Sequence, residues 1–235
     1  MTRDETKVSL AAAFRQRTRL LHTRAERSGI VREVLTGQVS RKGYSLFLRN
    51  LLPAYAEMEA GLQNRRHLSA FQELARPEIY RADAIIADLT ALCGPRWSCL
   101  LPILPVSELY AMRVAKLAEG DGFGLLAHVY VRYLGDLNGG RILKDLLVRS
   151  LDLEPVALSF YDFPGVADLE TFKTGYRAAI DRSAHQIKDL ETVIEEAAEA
   201  FEFNIQVSEA VQLAVAHDSG AALAVGTTLP SIDHA

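Results

Sequence analysis

The sequence predicts an all-α protein that folds as one domain. Apolar residues recur at three- and four-residue intervals along nearly the whole chain, which is the period of an amphipathic helix. A period of two, which marks half-buried strands, is absent over any useful length. The 235 residues, 49% of them hydrophobic, are enough to bury one core. We expect this domain to span residues 1–217 and a poorly ordered tail to span 218–235.

The predicted helices follow one another with short breaks. Ser40 has the side chain of an N-cap, and it precedes the clearest apolar stripe, which runs from Tyr44 to Leu62. Breaks are predicted at Pro77, at the run CGPRW and in the segment 155–164, which begins and ends with proline. The other helices are expected over 8–27, 81–92, 106–118, 122–150, 168–182 and 185–215.

The composition argues against several classes of function. A net charge of −4 argues against nucleic-acid binding, because contact with phosphates requires a basic face. The N-terminus has no apolar signal segment, and no stretch approaches the ~20 apolar residues of a membrane-spanning helix. Cys93 and Cys99 match no zinc or CxxC spacing, which favours a reducing compartment. We therefore expect a cytoplasmic protein without a membrane anchor.

Arginines are concentrated in the first predicted helix and just beyond it. Such a run is typical of a solvated helix face, and it also suits the docking of an acidic partner. The residues concerned are Arg15, Arg17, Arg19, Arg24, Arg27 and Arg32.

Three glycines interrupt the segment YLGDLNGGRIL at 133–143, although its flanks have a helical pattern. Each glycine costs about 0.5–1 kcal/mol relative to alanine inside a helix. Gly135 and Gly139 lie one turn apart and share a face, on which a flat ligand could contact the main chain. Asp136 lies between them and would border the same ligand. An ion pair with Arg132, one turn earlier, is the simpler interpretation of Asp136.

The first predicted helix carries Arg15, His22 and Glu26 on one stripe. Arg15 and His22 are two turns apart, about 10 Å along the axis, which is close to the distance between the iron and the propionates of a haem. An imidazole can bind iron while a carboxylate one turn on orients its other nitrogen. Taken alone, the pattern is more typical of an exposed, ordinarily hydrogen-bonded histidine.

Other polar residues are weaker candidates for a site. Lys173 and Arg177 lie one turn apart and could hold carboxylates, although a solvated basic edge is the commoner meaning of such a pair. Tyr130 precedes the first glycine by five residues and would bring a hydroxyl to the same edge. The remaining histidines share no ligand spacing, and we interpret them as structural or solvent-facing: His67, His128, His185, His217 and His234.

Five separated segments together resemble one known family. They are LLHTRAE, GPRW, YVRYLGDLNGGRIL, FKTGYR and AFEFNIQ, in that order along the chain. The sequence resembles the biliverdin-producing haem oxygenases of the soluble bacterial type, from about Phe14 to Val207. The resemblance implies one all-α domain, with haem between the N-terminal (proximal) helix and a distal helix bent at its glycines.

The resemblance also implies the roles of individual residues. His22 would be the axial ligand of the haem iron, and Glu26 would bind its other nitrogen. The propionates would be held by Arg15, Tyr130, Lys173 and Arg177. Gly135 and Gly139 would lie over the distal face, with Phe201 in the wall. Asp136 would anchor a water network together with Tyr55, Arg132 and Asn204.

This sequence departs from the family pattern at several positions. Asn138 stands in place of a usual serine, Arg141 in place of a usual glutamine, and Ser208 in place of a common phenylalanine. Pro53 lies in the predicted helix that carries Tyr55, and Arg15 stands where lysine is common. The hydrophobic C-terminal anchor of the membrane-bound members is also missing.

The implied activity is cleavage of haem by dioxygen and reducing electrons to biliverdin, carbon monoxide and ferrous iron, with the α isomer expected. The sequence has no GxGxxG fingerprint for a nicotinamide or flavin cofactor. Electrons would therefore come from an external ferredoxin or flavoprotein reductase docking on the arginine-rich face. Two alternatives stay open: a non-catalytic haem carrier or sensor, and a haem-free relative with the same fold.

Overall fold

The computed structural model describes residues 9–226, with side chains described as far as residue 217. It is all-α, and no strand occurs between residues 9 and 226. In chain order the helices are α1 (Leu10–Glu26), α2 (Gly29–Leu35), α3 (Arg41–Arg65), α4 (Ala82–Cys93), α5 (Trp97–Leu100), α6 (Pro105–Glu119), α7 (Leu125–Leu151), α8 (Leu169–Ser183) and α9 (Leu190–Gly226). Short 3₁₀ segments precede α4, α8 and α9.

The long helix α9 packs against helices from both halves of the chain. It packs against α1, α2, α3, α6 and α7, while α3 packs against α6 and α4. One continuous core lies between these helices, and large aromatic side chains are fully buried in it, among them Tyr44, Tyr55 and Tyr110. Since α1 packs on α9, the core beneath α1 is complete only when α9 is in place.

Several predicted helix starts and breaks are confirmed. Ser40 caps α3, because its hydroxyl accepts a hydrogen bond from the Gly43 N–H at 3.0 Å. Helix α3 continues through Pro53 without interruption. The breaks at Pro77, at the run CGPRW and across 155–164 all separate helices in the structure.

The short helix α2 is not among the predicted elements, since the pattern predicts one helix over 8–27 and the next only after Ser40. Its signal is Ser28 followed by apolar residues at helical spacing. Gly29 makes the turn between α1 and α2 with φ of +57°, a region that favours glycine. A Cβ at this position would collide with the backbone of Ser208 on α9. The corner between α1 and α2 is therefore pressed directly onto α9.

The C-terminal end differs from the expectation. The helix predicted over 185–215 begins instead at Leu190, after a 3₁₀ segment, and its backbone continues to Gly226. The expected tail over 218–235 thus overlaps the end of α9, and residues 227–235 lie outside the described part of the chain. None of the helices described between residues 9 and 226 is both long and apolar enough to cross a bilayer.

Helix α4 is capped by a side chain from α3. Glu59 accepts hydrogen bonds from the backbone N–H groups of Arg81 and Ala82, the latter at 3.1 Å. Burial raises the pKa of Glu59 to about 7, although those two hydrogen bonds and the charge of Arg81 oppose the rise. The folded protein therefore favours the protonated form of Glu59, and its contribution to stability falls as the pH rises from about 4.3, the ordinary value, toward 7.

We expect Glu59→Gln to reduce this pH dependence, because glutamine keeps the acceptor oxygen and cannot ionise. The free energy of unfolding of the variant, measured relative to wild type, should therefore be about 1–3 kcal/mol higher at pH 8 than at pH 5. Urea denaturation at the two pH values measures the gain. Glu57→Gln, an exposed change on the same helix, is the control. Equal gains in both variants would show that the capping carboxyl is not the cause.

Candidate functional site

A cavity of about 660 Å³ lies between α1 and α7, with α2 and α9 closing its sides. This volume is typical of a site for a small organic ligand or cofactor. Most of the wall is apolar, and the charged groups are confined to α1. The lining includes seven of the predicted site residues: Arg15, His22, Glu26, Tyr130, Gly135, Gly139 and Phe201.

Gly135 and Gly139 expose the backbone of α7 to the cavity. A Cβ built at either position would meet no atom within 4 Å. Gly140 has a different role, since a Cβ there would come within 3.2 Å of the Tyr161 ring. The helical hydrogen-bonding pattern runs through all three glycines, so the bend in this helix stays a prediction. Two glycines therefore keep the cavity open, and the third allows close packing behind it.

His22 lies on the opposite wall of the cavity. Its Nδ1 is 3.5 Å from a carboxylate oxygen of Glu26, one turn further along α1. The His22 side chain is 61% exposed, and its ring lies 5.9 Å from that of Phe201. Because Glu26 faces Nδ1, Nε2 is the nitrogen free to bind a ligand.

A buried polar cluster lies behind the glycine face. The Tyr55 hydroxyl donates a hydrogen bond to Asp136 and accepts one from Nε of Arg132 at 2.8 Å. A second guanidinium nitrogen of Arg132 donates to the Asn204 side-chain oxygen at 2.6 Å. The guanidinium also lies 4.9 Å from the centre of the Tyr55 ring. The structure thus brings together the four residues predicted to form the distal network.

The charges in this cluster depend on one another. Burial raises the pKa of Asp136, although the Arg132 charge and the Tyr55 hydrogen bond oppose the rise. Burial also raises the pKa of Tyr55 well above its usual value. For Arg132, burial acts to lower the pKa, but the neighbouring Tyr55 and Asp136 outweigh it and the net shift is upward. A cation is therefore fixed beside a carboxyl that can gain or lose a proton.

The Oδ1 oxygen of Asp136 has only a long contact with Arg132. It lies 3.6 Å from a guanidinium nitrogen of Arg132, which is longer than a hydrogen bond. The predicted ion pair between these residues is present, but it lies in a mostly buried cluster and not on the helix surface. Asp136 therefore has a free acceptor for a water or ligand group.

The predicted propionate residues divide into two groups. Arg15 and Tyr130 line the cavity, and the positive charges of Arg177 and Arg15 act to lower the pKa of Tyr130, against the larger effect of burial. Lys173 is nearly buried and does not line the cavity, and its ammonium group lies 2.6 Å from a carboxylate oxygen of Glu170. Only part of the predicted basic edge thus faces the open space.

Two of the six N-terminal arginines are paired with α9. Arg17 donates to Glu195 at 2.8 Å, and Arg24 donates to Glu202 at 2.8 Å. Both pairs contribute little free energy, because they are exposed and screened by water. Their main effect is to neutralise two charges of the predicted basic face.

The departures from the family pattern have separate structural consequences. Asn138 lines the cavity and donates its amide to the Leu134 carbonyl at 2.6 Å. Arg141 is exposed and is not among the residues that line the cavity. Ser208 is buried, accepts a hydrogen bond from the Val31 N–H at 3.1 Å and holds α2 onto α9.

Sequence reasoning missed one wall and one extension of the site. The wall comes from α2, whose Val31 and Leu35 line the cavity. The extension begins at His128, which is fully buried and hydrogen-bonded to Glu196 and Tyr110. No spacing in the sequence indicates that these three residues meet, because they belong to three different helices.

Together these features define an all-α protein with a largely apolar cavity between a histidine on one helix and paired glycines on another. The chain belongs to the haem oxygenase family, whose sequence model matches residues 8–210. The chain is 34% identical over 213 residues to Heme oxygenase 1 of Homo sapiens, covering 89% of this chain and 74% of that one. It is 32% identical over 203 residues to Heme oxygenase 2 of Synechocystis sp., covering 85% and 81%.

Solved structures show the same similarity in three dimensions. Heme oxygenase-1 of Synechocystis sp., solved in complex with heme, superposes with a TM-score of 0.84 at 29% identity, covering 94% of this chain and 100% of that one. The heme oxygenase of Leptospira interrogans superposes with a TM-score of 0.79 at 32% identity, covering 86% and 99%. The predicted fold and family are therefore confirmed.

We expect Gly135→Ala and Gly139→Ala to stabilise the ligand-free protein, each by about 0.5–1 kcal/mol, because the added methyl group meets open space and improves helix propensity. Gly140→Ala is the matched control, since its methyl group would press on Tyr161 and should bring no gain. Urea denaturation measures all three variants. Destabilisation at 135 or 139 would show that these positions are packed in solution.

Proposed function

We propose that this protein cleaves haem, with dioxygen and electrons from an external donor, to biliverdin, carbon monoxide and ferrous iron. The observation that carries the proposal is the pairing of the two cavity walls. His22 on one wall offers a free imidazole nitrogen, and Gly135 and Gly139 on the other leave room for a flat macrocycle. A non-catalytic haem carrier would need this cavity but not the buried Asp136 network beside it.

The residues present fit a haem. Bound haem supplies iron that activates dioxygen and a ring that is itself the substrate. His22 would bind the iron through Nε2, and Glu26 would hold the ring of His22 through Nδ1. The apolar remainder of the wall would bury the macrocycle, with Phe201 beside His22.

The propionates would lie at the Arg15 end of the cavity. Arg15 and Tyr130 supply a positive charge and a hydroxyl there. Arg177 does not line the cavity, but its charge acts on Tyr130 and would add to the positive potential at this end. Lys173 would join them by leaving Glu170, whose side chain is 82% exposed. Holding both propionates fixes the rotation of the ring in the cavity and so selects the carbon that reacts, which we propose gives the α isomer.

Asp136 would hold and move a proton on the distal side. Its Oδ1 can accept a hydrogen bond from water, while Tyr55 and Arg132 hold the carboxyl in place. Burial raises its pKa, so the carboxyl is better able to carry a proton near neutral pH. Gly135 and Gly139 would bring bare backbone close to the reacting face and exclude bulk water from it.

The electron donor would dock where α1 borders the cavity. Arg15 and Arg19 are exposed at the rim, and neither is among the arginines paired with α9. An acidic ferredoxin or flavoprotein reductase would meet positive charge close to His22. We place this reaction in the cytoplasm, where reduced donors of these classes occur.

His22→Ala tests the proposed function directly. The wild type, loaded with haem without oxygen and then given oxygen and ascorbate, should develop the absorption spectrum of a bilin. The variant should lose the histidine-ligated iron spectrum and the bilin product, and added imidazole should restore part of both by filling the vacated position. His67→Ala, an exposed change on another segment, is the control. An unchanged iron spectrum in His22→Ala would remove His22 from this role.

Asp136→Asn separates catalysis from haem binding. The variant should bind haem with the wild-type iron spectrum, because His22 is untouched. Its rate of biliverdin formation should fall by about 10²–10⁴, the usual contribution of a positioned acid–base group. Asp145→Asn, which changes an exposed carboxylate on the same helix, should leave the rate unchanged. Biliverdin formation at the wild-type rate in Asp136→Asn would make Asp136 structural.

A further inference from the structure

Asn138 presents an amide to the cavity from the same wall as the two glycines. Of the α7 residues that line the cavity, only Asn138 and Tyr130 have polar side chains. Tyr130 lies about 12 Å away along the helix axis, at the end of the cavity where the charge of Arg15 acts on its hydroxyl. Asn138 directly precedes Gly139 and lies within one turn of Gly135. It is therefore the polar side chain that lies beside the bare backbone.

The orientation of this amide is fixed by the helix itself. The Asn138 Nδ2 atom donates to the Leu134 carbonyl at 2.6 Å, one turn back along α7. A carbonyl oxygen can only accept, so it selects the nitrogen of the amide and excludes the opposite assignment. No group described between residues 9 and 217 donates to Oδ1, and the side chain is exposed at the cavity. Asn138 therefore offers an acceptor oxygen to a ligand in the cavity.

Asn138 and Asp136 face different sides of α7. Two positions along a helix differ in direction by about 200°, so the two side chains cannot share a face. The Asp136 side chain is 10% exposed and bonded to Tyr55 in the core, whereas Asn138 is exposed and lines the cavity. A ligand in the cavity can therefore contact Asn138 directly, while it would reach Asp136 through water.

We infer that Asn138 is a specificity-determining residue, whose Oδ1 accepts a hydrogen bond from a small ligand held between the glycine wall and His22. The inference rests on the proposed function, because a haem bound by His22 would place such a ligand on the Asn138 side. A ligand that carries a hydrogen gains this bond. An anion without a hydrogen meets the negative end of the amide dipole and is disfavoured.

The selection depends on the amide and not on a titrating group. A side-chain amide does not ionise at neutral pH, so Asn138 selects a ligand without exchanging a proton with it. A serine at this position, the usual residue of the family, would bring a hydroxyl that can donate as well as accept. Such a hydroxyl could turn its hydrogen toward an anion, which the fixed oxygen of Asn138 cannot do.

The orientation of the amide is tested by NMR in the haem-free protein. One Nδ2 hydrogen of Asn138 is held by the Leu134 carbonyl, so it should exchange with water about tenfold more slowly than the Nδ2 hydrogens of Asn64. Asn64 is exposed on α3 and is the control. Equal exchange at the two residues would overturn the inference, because the selection requires a fixed amide.

The selection itself is tested by titrating the ferric haem complex with azide and with methylamine, followed by absorbance. Azide binds iron through a nitrogen without a hydrogen, whereas the binding nitrogen of methylamine keeps two. In Asn138→Leu, which keeps the bulk of the side chain, the affinity for azide should rise and that for methylamine should fall, each by about three- to tenfold. Asn64→Leu should bind both ligands as the wild type does.

Asn138→Ala separates the acceptor from the bulk of the side chain. It also lacks the amide, so its two affinities should move in the same opposite directions as those of Asn138→Leu. Tighter binding of both ligands in Asn138→Ala, with no change in Asn138→Leu, would assign the effect to space and overturn the inference. Weaker or unchanged azide binding in Asn138→Leu would also overturn it, since the amide would then face the ligand with its hydrogen or not at all.

These measurements do not require turnover, so the two possible failures are distinguishable. If the wild type binds haem and shows this selection but forms no bilin with ascorbate and oxygen, the proposed function fails and the role of Asn138 stands. If bilin forms and Asn138→Leu leaves both affinities unchanged, only the inference about Asn138 fails. A protein that does not bind haem would overturn both.

Discussion

The buried guanidinium of Arg132 is the constraint on which the rest of the site depends. A cation that has lost water must regain hydrogen bonds from the protein, and here Tyr55 and Asn204 supply acceptors. Those acceptors come from α3 and α9, so α7 can take only one rotation about its axis. That rotation places Gly135 and Gly139 toward the cavity and Asp136 toward the core.

This arrangement explains why α7 tolerates the helix stability that its glycines cost relative to alanine. A helix that must satisfy a buried charge on one side and leave open space on the other cannot use ordinary side chains on both. Gly140 belongs to the packed side, where Tyr161 leaves no room for a methyl group without adjustment. The sequence segment at 133–143 therefore serves two opposite demands, contact behind the helix and clearance in front of it.

Much of the fold and most of the site follow from the sequence for physical reasons. Helical periodicity identifies α3, and spacing places His22 near Glu26 because neighbours on one helix need no tertiary structure to meet. The contact between His128 and Glu196 could not be predicted in that way, since it joins α7 to α9. The pairing of Lys173 with Glu170 is also absent from the prediction, although it is local, because Lys173 lies within one turn of both Glu170 and Arg177 and the spacing alone does not choose between them.

The contact between Gly29 and Ser208 links two positions that are distant along the chain. Gly29 has a positive φ and no space for a side chain, and the Ser208 hydroxyl binds the backbone of α2. A larger residue at 208 would displace the α1–α2 corner and with it the cavity wall at Val31. The two positions are thus constrained as a pair, so sequences with a bulky residue at 208 should differ near 29 as well. Covariation between these positions would record how each member of the family sets the width of its cavity.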